Sequence, residues 1–147
     1  MRAFSALLML VLLSVSVHAA DTSAQTNELK GLADRLVPIE CAIDKTATDD
    51  TGLVKLRIDL DNFSKSLISF GVSLRPRFNE INARLDESGP PPNQGEPAEP
   101  ETLARERQEL LEEKARNNAL LGEAESLSIR ASKATDKIGS LRRELFT

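Results

Sequence analysis

The chain has 147 residues, with 19 Lys plus Arg against 23 Asp plus Glu and a formal net charge of −4. That is one small domain or one elongated module. Trp and Tyr are absent, and the only His and Cys are His18 and Cys41, which excludes a Cys/His zinc site, a Ser-His-Asp triad and a Cys-His dyad within this chain. The acidic excess also argues against nucleic acid, which selects basic patches and stacking aromatics.

The N-terminus reads as an address. Arg2 supplies a positive n-region, Ala6 to Val17 forms an apolar h-region, and Val17-His18-Ala19 offers a cleavage site, with Ala20 as an alternative. This is the layout of a secretory signal peptide over residues 1–20. An uncleaved anchor is the competing reading, but the apolar run is shorter than the roughly 20 residues a membrane span needs. Removal takes away His18, so the mature chain holds no histidine. Export implies an oxidising compartment, where a lone Cys41 stays free or pairs between molecules.

A first helix is expected over about 27–45. Leu29, Leu32, Leu36, Ile39 and Ile43 advance in steps of three and four, a heptad stripe. Pro38 sits inside it and removes one backbone bond. A second helix is expected over about 52–88, on Leu53, Leu56, Leu60, Phe63, Leu67, Phe70 and Leu74. The stripe then continues through Phe78, Ile81 and Leu85, which requires a stutter beside Gly71 and Pro76. A bend is expected there.

Gly89 fits a left-handed helix cap, and Pro90, Pro91 and Pro92 cannot continue the helix. Residues 89–99 therefore read as a proline-rich interhelical linker. A third helix is expected over about 100–146, with Pro100 in its first position. Its first half is highly charged, with Leu103, Leu110 and Leu111 as sparse anchors. Its second half carries Leu120, Ala124, Leu127, Ala131, Ala134, Ile138, Leu141 and Leu145 in heptad steps. The expected architecture is all-α: an elongated antiparallel helical hairpin or coiled coil, with a shorter helix covering part of its groove.

Few constellations suggest chemistry. Glu106, Glu109, Glu112 and Glu113 form an acidic row, but Arg105, Arg107, Lys114 and Arg116 interleave with it, so a solvated salt-bridged face is expected rather than a metal site. Arg130, Lys133, Lys137, Arg142 and Arg143 suit either an anionic lipid surface or compensation of the helix dipole. Arg75-Pro76-Arg77 places a proline between two arginines, which reads as a kink with solvated charges. No cofactor is expected.

Several stretches together carry a resemblance. They are Leu36-Val37-Pro38-Ile39-Glu40, Leu53-Val54-Lys55-Leu56-Arg57, Leu74-Arg75-Pro76-Arg77-Phe78, and Ala83-Arg84-Leu85-Asp86 leading into Ser88-Gly89-Pro90. Glu99-Pro100 and Leu141-Arg142-Arg143-Glu144-Leu145-Phe146 complete the series. In this order they resemble the N-terminal periplasmic helical domain of unknown function found in Gram-negative mechanosensitive channel proteins of the small-conductance family. The resemblance implies residues 21–147 as a periplasmic helical domain at the outer face of the inner membrane. It implies a non-catalytic interaction or tension-coupling arm, with a membrane pore module as partner in cis if the gene continues beyond Thr147. The family contributes no catalytic residue. Gly71, Arg75, Pro76, Arg77, Gly89, Pro90, Arg142 and Arg143 are the structural or coupling candidates. The alternatives are a free-standing periplasmic coiled-coil scaffold or adaptor, with other periplasmic or inner-membrane proteins or further copies of itself as partners, and a holdase-type chaperone.

Overall fold

The computed structural model describes the backbone of residues 3–93, 95 and 97–147, and the side chains of the same residues from Ser23 onward. Helix α1 runs Ala3–Lys45, α2 runs Asp50–Ser88 and α3 runs Glu101–Leu145. The described elements are all helical, as the heptad stripes require. Helix α1 starts well before the expected position near residue 27, and its portion from Ser23 to Lys45 is the shorter arm packed on the α2/α3 hairpin. The signal-peptide segment expected over residues 1–20 lies outside the residues whose side chains are described.

Ion pairs fix the register. Asp50, Arg77 and Arg84 of α2 meet Arg142, Glu113 and Glu106 of α3. Rising numbers on one helix meet falling numbers on the other, so α2 and α3 are antiparallel. Glu40 and Asp44 of α1 meet Arg130 and Lys137 of α3 in parallel order.

The core follows the heptads. Leu29, Leu32, Leu36 and Ile43 of α1 are buried, with Ile39 half-buried beside them. They pack with Leu53, Leu60, Phe63, Leu67, Phe70 and Leu74 of α2, and with Leu120, Ala124, Leu127, Ala131, Ala134 and Ile138 of α3. Burying one large apolar side chain of this kind contributes about 1.5–3 kcal/mol, so this cluster dominates the favourable side of folding. The small Ala124, Ala131 and Ala134 of α3 share this cluster with the large Phe63 and Phe70 of α2. Pro38 and Pro76 both lie inside unbroken helices, at exposed positions.

The two connections differ in kind. Thr46 closes α1 by donating from its backbone N and its Oγ1 to the Ala42 carbonyl. A Cβ at Gly52 would lie 2.1 Å from Thr46 Cγ2 and 2.7 Å from Asp49 Oδ2, so the tight α1–α2 turn needs glycine there. At the other end Gly89 has φ 66°, positive as expected of a glycine stop, but its ψ of −177° is extended, so it is not the left-handed helical cap expected there. Pro100 stands one residue outside α3 rather than in its first position, and its carbonyl accepts the Leu103 and Ala104 amides.

Candidate functional site

Strict heptad counting exposes a feature the leucine stripe conceals. Seven-residue steps from Leu56 give Leu56, Phe63, Phe70, Arg77 and Arg84 on α2. The matching row on α3, counted back from Leu127, gives Leu127, Leu120, Glu113 and Glu106. Apolar layers in the lower hairpin thus give way to ionic layers in the upper part.

The stutter expected at Phe78, Ile81 and Leu85 is corrected accordingly. Leu74 and Ile81 are buried, one heptad apart, while Phe78 and Leu85 are only half-buried. The phase is unbroken because Arg77 occupies the seam position that Phe78 was expected to serve. Leu110 is buried in the facing helix, but Leu103 is half-buried and Leu111 exposed, so one of the three expected anchors holds the seam. The face expected to be solvated is corrected in part: Glu113 and Glu106 turn toward α2, while Glu109 and Glu112 stay exposed, Glu112 paired with Arg116.

Arg77 makes a two-pronged contact with Glu113. Nε donates to Oε1 and Nη2 to Oε2, both at 2.6 Å. The side chains are 15% and 13% exposed. Arg77 Nη1 lies 2.8 Å from Glu80 Oε2, a distance that makes an ion pair, although the alignment is not that of a hydrogen bond. The contact is an ion pair, whose attraction depends little on angle. The Glu113 hydrogen bonds push the Arg77 pKa above its ordinary value, desolvation opposes them, and Glu80 adds to the rise. The guanidinium is therefore a permanent cation. Lys114 stands over the Phe78 ring, 5.8 Å from its centre.

One heptad further out, Arg84 pairs with Glu106 at a more exposed site. At the tip Arg107 donates to the carbonyls of Ser88 and Gly89 and pairs with Glu99 at 2.5 Å. One guanidinium thereby ties the last turn of α2 to the proline-rich loop. Asn117 is 3% exposed and its Nδ2 has no hydrogen-bond partner. It sits in the seam one heptad after Leu110, where the ionic segment meets the apolar one.

The expected candidates divide. Arg77, Gly89 and Arg142 hold structure, the last through a 2.6 Å bond from Nε to Asp50 Oδ1. Arg75 and Pro90 are exposed, as is Arg143, which bonds Ser140 Oγ on its own helix. Pro76 is exposed on the rim of an open cleft of about 490 Å³ shared with Ala24, Gln25, Glu28, Ser73, Arg77 and Glu80. At Gly71 a Cβ would meet nothing within 4 Å, so no packing requires glycine there. Sequence reasoning missed Glu113, Arg84, Glu106, Arg107, Glu99 and Asn117 as a linked set. The signal was present: Arg at two successive seam positions of one helix and Glu at two of the other.

Of the basic residues considered for lipid, Arg130, Lys137 and Arg142 face Glu40, Asp44 and Asp50. Glu40 hydrogen bonds raise the Arg130 pKa above its usual value. Among the described residues, no cluster of three or more His, Cys, Asp or Glu is placed to hold a metal ion. No helix among them is long and apolar enough to cross a membrane. Cys41 is a free, exposed thiol.

Comparison of the chain with protein-family models, curated proteins and solved structures finds no match.

Proposed function

We propose that this chain is a non-catalytic periplasmic domain of the mechanosensitive channel type, acting as an interaction or tension-coupling arm. Export by a signal peptide would place it at the outer face of the inner membrane, with a membrane pore module as its partner. The observation that carries the reading is the antiparallel α2/α3 hairpin. It joins a proline-rich tip to a base where Arg142, three residues from the end of α3, is tied to Asp50 at the start of α2. With 39 residues in α2, the hairpin is about 58 Å long at 1.5 Å per residue. A rod tied by charge pairs at both ends passes on displacement better than a flexible chain. The resemblance supplies the channel context.

The test is patch-clamp recording of the pore-bearing gene product with and without residues 21–145. A shifted tension threshold is expected on deletion, and identical gating would refute the coupling role. The second reading is a free-standing scaffold or adaptor. The exposed Ile58, Ile68 and Val72 on α2 favour it, as apolar points on an otherwise polar outer face. Crosslinking that recovers a periplasmic protein, in cells where no pore module is fused to the chain, would select it.

A further inference from the structure

The hairpin has two segments of different physical kind, meeting at the level of Leu74 and Asn117. In the lower segment the continuous apolar cluster joins all three helices and ends at Leu74 on α2 and Leu120 on α3. In the upper segment Ile81 and Leu110 are buried but lie outside that cluster. The Arg77–Glu113 layer stands between the end of the cluster and these two residues, and the Arg84–Glu106 layer lies beyond them toward the tip.

The two kinds of layer fail differently. An apolar layer holds at any pH and salt concentration. A charged layer holds only while both charges are present and close. Removing one partner leaves the other desolvated, which strongly destabilises, whereas apolar residues at both places are often neutral or stabilising. Asn117 adds to this, because its unpaired Nδ2 regains a water partner when the seam parts. Arg107 binds the tip of α2 to the loop, so the upper segment holds together as a hairpin.

We propose that the 75–88 end of α2 and the 101–117 end of α3 form a conditional arm that opens as one unit, while residues 53–74 and 120–138 stay packed on α1. Protonation of the Glu113 carboxylate, together with screening of the more exposed Arg84–Glu106 pair, releases it. The charged groups around that pair are Glu80 on α2, Glu28 on α1, which lines the same cleft as Arg77 and Glu80, and Lys114 on α3, next to Glu113 in the chain and held over the Phe78 ring. Arg84 with Glu106, then Arg107 with Glu99, follow toward the tip. The device stands on the seam alone and does not require the coupling role.

Amide hydrogen exchange on the full chain tests it. Amides of 78–88 and 103–116 should exchange about tenfold or more faster than those of 56–70 and 122–136. Raising NaCl from about 0.05 to about 0.5 M should accelerate the first set and leave the second unchanged. Glu113→Gln should accelerate the upper set further. The Arg77→Leu/Glu113→Leu double variant should slow it by about tenfold. Ordinary fraying at the loop would be insensitive to that double change. Equal exchange in the two segments of the wild-type chain, or a double variant with no slowing, overturns the proposal.

Discussion

Arg77 and Glu113 meet through two parallel 2.6 Å hydrogen bonds at seam positions where the heptads of α2 and α3 would otherwise place leucine. The pair is mostly withdrawn from water, yet it lies in a two-sided seam rather than a deep core. Removal of either partner should therefore destabilise by about 1–3 kcal/mol, below the 3–5 of fully buried pairs. Urea unfolding of Arg77→Ala, Glu113→Ala and the double variant gives the coupling. The double variant should lose less than the sum of the singles. Strict additivity would mean that the pair contributes nothing.

Asn117 should be replaceable at a gain. Its buried Nδ2 carries the desolvation cost of an unmade hydrogen bond, about 1–3 kcal/mol. Asn117→Leu is expected to raise the thermal midpoint, with exclusion chromatography confirming an unchanged oligomeric state. A polar residue in a helix seam also fixes register. A midpoint that falls, or a changed assembly, would show that Asn117 selects the pairing rather than merely tolerating it.

The tip should be fastened by Arg107 and permitted by Gly89. Arg107→Ala removes the donors to two carbonyls and the Glu99 partner. It should speed proteolytic nicking within 89–99 several-fold while changing global stability by about 1 kcal/mol. Gly89→Ala meets no steric neighbour, but φ 66° with ψ −177° is backbone that only glycine adopts readily, and it costs another residue about 1–3 kcal/mol. Nicking rates equal to wild type in Arg107→Ala would remove the fastening role.

Stability should be flat from pH 6 to 9. Arg77 and Arg130 have folded pKa values raised above their unfolded ones. Their contribution is fully present below the unfolded value and is lost only as pH rises through the folded one, far above this window. No histidine lies among the residues from 23 onward. Chemical denaturation midpoints at pH 6, 7.5 and 9 should coincide. A loss between 6 and 9 would mean that another group governs the fold.

The three helices were legible because Leu, Ile and Phe recur at helical spacing and Gly89 with its prolines marks a stop. The boundaries of α2 moved by two residues at the start and none at the end. The charged seam was not legible by the same route. Following apolar residues alone led from Leu74 to Phe78, because an arginine is assumed to face water. Counting by sevens leads to Arg77, and the Glu row on α3 supplies its counter-charges. Asn117 escaped notice for a related reason: a single polar residue among charged neighbours looks like surface until a partner helix covers it. The start of α1 at Ala3 was also missed, since a change in composition near residue 20 does not require a break in the helix.

The most direct test of the channel-arm reading is the reading frame beyond Thr147 in the source DNA. The account predicts continuation into several apolar spans followed by a pore module, in frame with α3. A stop codon directly after Thr147, with no such spans, would contradict it and leave the scaffold reading in its place.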